Sequence, residues 1–329
     1  MVRSTALRGV LAAAGMLAGL VDASAQAPAP GYPTKSVEVV IPFPAGGATD
    51  VIGRLVGEVV SREWKRPIVI NNKAGATGAI GSEYVARARP DGYTLLIATG
   101  STHAVLPAYR KDLPYDTVTS FAPATLLAVF PNILVVNPNK VPAKNLAEFI
   151  DYAKKNSGKL TFGSSGKGSS IHLAGELFKL MTGTEMVHVP YRGSAPAVTD
   201  LLAGHIDLMF DNMSSIWSQV QEGSLRALGV ASASRTPLAP DLPAIAETLP
   251  GFEATTWVGV VGPARVPDDI LAKISRDFAQ ALGQPEVVKR LNELGATVES
   301  NTPAQFSDFI RRDRQKWQDV AERAGIKPE

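Results

Sequence analysis

Strand-like apolar runs alternate with helical periodicities along nearly the whole of this chain, and no other feature restricts its fold as much. Residues 36–43 read as a buried strand and 49–64 as a helix, with Val51, Ile52, Leu55, Val56, Val59 and Val60 on one face. Residues 67–71 form a second strand, 79–89 a second helix stopped by Pro90-Asp91-Gly92, and 94–99 a third strand. A βαβαβ order of this kind predicts a parallel sheet with helices on both faces. The middle repeats it, with strands at 133–137, 160–163, 186–189, 206–210 and 225–231 and helices at 146–155, 170–181, 195–203 and 214–221. A strand at 255–261 and helices at 268–282 and 285–294 come next. A last helix opens at Thr302-Pro303, where Thr302 caps, Pro303 fills the first helical position and Gln305 completes a capping box. Two βα blocks with a long helical tail predict an α/β fold of two lobes joined by more than one crossing.

The first residues indicate where the chain works. Arg3 and Arg8 lead into an apolar run over 10–21, and both Ala23-Ser24-Ala25 and Ala25-Gln26-Ala27 fit a signal-peptidase site. A run of about 12 apolar residues is too short for a bilayer, which needs about 20. Residues 1–27 are therefore expected to be an export signal, cut near Ala25 or Ala27, that sends a soluble protein to the periplasm with no direct membrane insertion. About 300 residues remain, a length that suits two domains. Removing Arg3, Arg8 and Asp22 leaves the charge near neutral, which gives no electrostatic case for nucleic acid or an anionic membrane. With no cysteine, the fold rests on its core alone, and thiol catalysis and cysteine metal sites are excluded.

The residues best suited to chemistry lie in glycine-rich loops between a strand and a helix. The first is Pro42-Phe43-Pro44-Ala45-Gly46-Gly47-Ala48-Thr49-Asp50. A helix N-terminus offers unpaired N–H groups and partial positive charge, and glycines let an anion approach that backbone. A tight turn capped by Thr49 or Asp50 explains the same residues. The second loop, 75–81, carries glycines at a spacing of three and three, which is not a dinucleotide fingerprint. The third, 163–170, contains Gly166-Lys167. It fails as a phosphate loop, because Thr161 and Gly168 stand where glycine and serine or threonine are needed. It fails as a nucleophile elbow because Lys167 replaces the last glycine. The fourth is Tyr191-Arg192-Gly193-Ser194. Four neutral loops of one kind, at strand C-termini in two sheets, match the place where open α/β sheets bind ligands.

Catalytic readings find less support. His103, His172, His188 and His205 are scattered, with no helical metal-pair spacing, and no close carboxylate pair is visible, so no metal or cofactor is expected. Asp211 ends a predicted strand, and two roles stay open for it: reaching a cleft or capping the segment after the strand. A serine hydrolase needs a base beside its nucleophile, and His172, near Ser169 and Ser170, is the one candidate.

Several segments in order carry a family resemblance. They are Tyr32-Pro33, the loop 42–50, Asp91-Gly92-Tyr93-Thr94-Leu95, Leu113-Pro114-Tyr115-Asp116, 172–178, 189–196, 200–204 and 207–212. The chain resembles the substrate-binding receptors of tripartite tricarboxylate transporters, the Bug family, over nearly all of its length after the signal. The resemblance implies a type II periplasmic binding protein fold, with lobe 1 formed by 28–128 and 251–329 and lobe 2 by 129–250. It implies a receptor that closes on a small carboxylate metabolite, delivers it to membrane transporter subunits, works as a monomer and is no enzyme. Presentation of the ligand to a histidine-kinase sensor is the alternative. Carried over by position, Ala45, Gly46, Gly47 and Thr49 would face one carboxylate, with Phe43 a ligand-binding residue of the same loop, Gly78 opposite and Thr99 and Ser101 lining the same lobe. Asp50 would cap a helix or accept from a ligand donor. Ser165, Gly166, Ser169 and Ser170 would come from the other lobe, with Tyr191, Arg192 and Asp211 nearby. Lys167 replaces an uncharged residue of the family; turned inward it would favour a second anionic group, turned outward it is a solvated charge.

Overall fold

The structure is a computed structural model and describes residues 31–326, so the expected export signal lies outside the described residues. Three parallel strands come first: β1 (Val37–Ile41), β2 (Ile68–Asn72) and β3 (Thr94–Thr99), in the order β2-β1-β3. Helices α1 (Ala48–Trp64) and α2 (Ala79–Ala86) make the crossovers. Leu95, Leu96, Ile97 and Ala98 are all fully buried, as expected for a strand covered on both faces. A π-type turn at Ser101–Val105 and a short helix α3 (Leu106–Tyr109) come after β3, in a stretch the apolar periodicity does not predict.

The next strand changes the architecture. Instead of a short strand at 133–137, β4 runs unbroken from Phe121 to Val136. Its first part pairs with β9 (Thr255–Pro263) and with the short β10 (Thr297–Val298). Its last part pairs with β7 (Leu208–Asn212) and β8 (Arg226–Val230). β5 (Thr161–Ser164) and β6 (Val187–Pro190) extend the second half, parallel to each other and to β7. The sheet is therefore mixed, not all-parallel: each half keeps three parallel strands, and the antiparallel β4 and β9 join them.

Helices of the second half are α4 (Leu146–Lys155), α5 (Ser170–Thr182), α6 (Ser194–Ala203) and α7 (Met213–Gln221). The C-terminal helices α8 (Asp268–Leu282) and α9 (Pro285–Glu293) cover the first half. Helix α10 (Pro303–Arg323) opens with the predicted capping box, in which the Thr302 hydroxyl accepts from Gln305 N–H at 3.3 Å and Gln305 Oε1 accepts from Thr302 N–H at 3.0 Å. This helix serves both halves. Phe306 and Ile310 pack with Leu96, Ala98 and Trp257, while Trp317 and Val320 pack with Phe178, Phe210 and Phe252. Trp257 Nε1 donates to Asp313 Oδ2 at 2.7 Å, fixing α10 to β9 where the halves meet.

Candidate functional site

Strand directions decide which loops meet. β3 and β4 both run antiparallel to β9, so they point the same way. Thr99, the last residue of β3, pairs with Val258, which pairs with Ala128 of β4. β4 continues beyond that level and enters the second half at Asn132, opposite Asn212 at the end of β7. β7 is antiparallel to β4 and parallel to β5, so the C-terminal ends of β5 and β7 point back at the first half. All the glycine loops of the sequence thus lie at strand ends that face one another across the junction of the two halves. The four residues of β4 from the level of Thr99 to that of Asn212 span about 13 Å of extended chain.

On the first side, Pro44, Ala45, Gly46 and Gly47 are exposed, and Phe43 and Thr49 half-buried. Gly47 is the N-cap of α1 and no side chain caps it, so neither Thr49 nor Asp50 plays that role. Asp50, only 4% exposed, braces the loop instead: its Oδ2 accepts from Gly46 N–H at 2.9 Å and from Arg54 Nε at 2.9 Å, and its Oδ1 from Asn72 Nδ2 at 2.9 Å. Burial opposes ionisation of Asp50, but the bonds from Arg54, Gly46 and Asn72 outweigh it and hold the carboxyl at about 2. Gly78 N–H donates to the Gly75 carbonyl at 2.9 Å, and α2 also lacks a side-chain cap. The N–H groups of Gly46 and Gly78 are thus engaged within the protein, and the uncapped first turns of α1 and α2 supply the positive ends. Three loops touch at Gly78, whose φ is +89°. A Cβ there would stand 2.5 Å from the Thr102 methyl and 3.4 Å from the Phe43 ring. Thr99 is buried and locked to Thr102, whose N–H donates to Thr99 Oγ1 at 3.2 Å; Ser101 beside it is half-buried.

On the second side, Ser169 is the N-cap of α5, accepting from His172 N–H at 3.1 Å, and Ser170 is buried behind it. Ser165 and Gly166 are half-buried and Lys167 is exposed. Gly168 carries the loop to the first half: a Cβ on it would meet the Tyr109 ring at 2.7 Å. Under the loop, His172 stacks on His188 with centroids 3.9 Å apart. Burial, then His188, Lys179 and Lys167, lower His172 to about 3; burial, then Lys167 and Lys179, lower His188 to about 4. Tyr191 donates from its hydroxyl to Asp200 Oδ2 at 2.7 Å, and Arg192 is exposed. Asp211 is fully buried and does not reach the gap; it accepts from the Ser194 hydroxyl and from Asn212 N–H.

The hydrolase arrangement is not assembled. The Ser169 hydroxyl serves as a helix cap, and His172 Nδ1 accepts from Gly168 N–H at 3.3 Å. A different serine–histidine pair is present, Ser164 Oγ and His188 Nε2 at 2.6 Å. Twenty-four positions separate those residues, so no local motif reveals the pair. Ser164 is fully buried, donates to the Gly166 carbonyl at 3.0 Å and accepts from Gly166 N–H at 3.1 Å, which makes it a brace for the loop. Among the described residues, no group of three or more His, Cys, Asp or Glu could hold a metal ion, and no helix is long and apolar enough to cross a membrane.

Comparison with known proteins places this architecture. The model of the tripartite tricarboxylate transporter family receptor matches residues 52–326. Three similar proteins have solved structures. One from R. palustris, Rpa4515, solved with adipate, is 36% identical, covers 91% of this chain and 100% of its own, and superposes with a TM-score of 0.82. The periplasmic binding protein BugD is 32% identical, covers 91% of this chain and 100% of its own, with a TM-score of 0.79. MatC from Rhodopseudomonas palustris, with bound malate, is 32% identical, covers 88% of this chain and 99% of its own, with a TM-score of 0.77.

Proposed function

The chain belongs to the tripartite tricarboxylate transporter receptor family, and from that premise we propose that it is a periplasmic receptor that closes on a small carboxylate and hands it to membrane transporter subunits. The carrying observation is the facing pair of strand ends: exposed glycine loops and the uncapped N-termini of α1 and α2 on one side, the Ser164–Ser170 loop on the other. A carboxylate at those helix ends is held by N–H groups and ordered water without an opposing charged side chain. Because it touches both sides, it binds the closed arrangement better and draws the population towards it. The relatives solved with adipate and malate support a carboxylate as the ligand class.

In this reading residues 1–27 are an export signal, the lobes divide at 128/129 and 250/251, and the mature protein acts as a monomer without catalysis. The direct ligand residues are Ala45, Gly47 and Thr49 of the first loop, with Ser101, Ser165, Gly166 and Arg192. Phe43, Asp50, Gly78, Thr99, Ser169, Ser170, Tyr191 and Asp211 shape the loops behind them. Isothermal titration calorimetry of ligand-stripped protein against mono-, di- and tricarboxylates tests the proposal. Saturable one-site binding of at least one class is expected, and heat-free titration with every class would overturn it.

A further inference from the structure

Buried polar side-chain atoms normally find a partner, and each exception asks for a reason. Among the described residues four such atoms have none, and three of them fall at one place: Asn132 Oδ1, Asn212 Oδ1 and Ser214 Oγ. Asn132 is 0% exposed and stands where β4 changes partner from β9 to β7. Its Nδ2 donates to the Ala254 carbonyl at 2.7 Å. That bond fixes the amide, since the reversed orientation would set two oxygens against each other, so Oδ1 is the unpaired end. Asn212 is the register partner of Asn132, which brings the two Cβ atoms within about 5 Å on one face of the sheet. It also starts α7, where an asparagine ordinarily accepts a backbone N–H; here its side chain makes no such bond. Ser214 sits in the first turn of the same helix.

We propose that Asn132, Asn212 and Ser214 form a subsite at the hinge that takes a hydrogen-bond donor of the bound acid, so that the preferred ligands carry a hydroxyl or amino group beside a carboxylate. The inference rests on the receptor reading above and adds the second feature of the ligand. The Asn132 oxygen, oriented by its bond to Ala254, accepts only, and the serine hydroxyl accepts or donates. A carboxylate placed there would face that oxygen with oxygen, whereas a hydroxyl or ammonium group answers it. Carboxylate recognition belongs to the helix N-termini across the gap, so the two ends of the site discriminate by opposite hydrogen-bond polarity. A ligand without a donor would leave the amide oxygens unpaired inside the closed protein, and such a mismatch discriminates strongly.

Calorimetry on ligand-stripped protein with three matched sets tests this: propionate, lactate and alanine; succinate, malate and aspartate; adipate, 2-hydroxyadipate and 2-aminoadipate. In at least one set a hydroxy or amino acid should bind more than about tenfold tighter than the plain acid. Which of the two wins tells whether the donor is neutral or cationic. Ser214→Ala keeps the Asn132–Ala254 bond and Asn132→Leu keeps the volume; in each, the ratio between the substituted and the plain acid should shrink to within about threefold. Equal binding of plain and substituted acids in every set overturns the inference while leaving the receptor reading intact. So does a preference that survives both substitutions, or a co-crystal structure in which only water meets the three atoms. If no acid in any set binds and no tricarboxylate does either, the receptor reading itself fails and this inference goes with it.

Discussion

Lowering the pH from 7.5 to 5.5 should remove about 3 kcal/mol of folding stability, through histidines that are buried in the neutral form. His103 is fully buried and burial holds it at about 3. His172, also buried, is lowered to about 3 by burial first and by His188, Lys179 and Lys167 after it. Both folded values lie below the unfolded value of about 6.5. Such a histidine takes its proton only on unfolding, so its stability is complete above 6.5 and drains away as pH falls towards the folded value. At pH 5.5 the unfolded chain gains about 1.4 kcal/mol per histidine, whatever the folded value, provided that value is well below 5.5. His188, half-buried and held at about 4, adds less than a full share because solvent screens it. Asp211 works in the opposite sense. Burial raises it to about 6 against bonds from Ser194 and Asn212, so its protonation in the folded state returns a little under about 1 kcal/mol over the same range. Urea unfolding at pH 7.5, 6.5 and 5.5, monitored by far-UV circular dichroism, measures the sum. His172→Gln should lose a large part of the dependence. A free energy of unfolding that stays constant across the three pH values would refute the reasoning.

The loops give two further expected outcomes. Gly168→Ala puts a Cβ in a backbone with φ of +69° and 2.7 Å from the Tyr109 ring. Strain of about 1 kcal/mol and a wedge between the halves should weaken carboxylate binding about tenfold or more in calorimetry, and an unchanged Kd counts against closure through this contact. Asp50→Ala removes the brace on Gly46, Arg54 and Asn72, and should lower the unfolding free energy by about 2 kcal/mol and blunt binding. With its folded value depressed to about 2, the contribution of Asp50 is present above pH 4 and lost as pH falls through 2. Wild-type stability in the variant at neutral pH would contradict the role assigned to the carboxylate.

Helices with a strong amphipathic period were legible to the residue: α4 and α8 begin and end where periodicity puts them. So were the cap at Thr302 and the position of each glycine loop, because turn and cap chemistry is local. The first part of β4 was not, because Pro123 and Pro131 argue against a strand in the sequence pattern and the strand is specified by its neighbours β9 and β10, more than a hundred residues away. The π-type turn at Ser101–Val105 carries no helical period of its own and is held by packing against α10 and α5. At the site, sequence pointed to the loops and left the roles of some residues open. Asp50 does not cap α1 and braces Gly46, and Asp211 accepts from Ser194 and from Asn212 N–H. The pairing of Ser164 with His188 and the contacts of Asn132 and Tyr109 escaped notice because their partners are distant in sequence.

One strand, β4, belongs to both halves of the sheet, and a sheet alternates its side chains between faces with a period of two residues. Deleting or adding a single residue near Pro131 would therefore turn every inward side chain of one half outward relative to the other. Asn132 would no longer meet Asn212, and Leu134 and Val136 would leave their core for its opposite face. The glycine loops can change length at modest cost, but the spacing between Val129 and Ile133 acts as a ruler that sets which face each half of β4 presents.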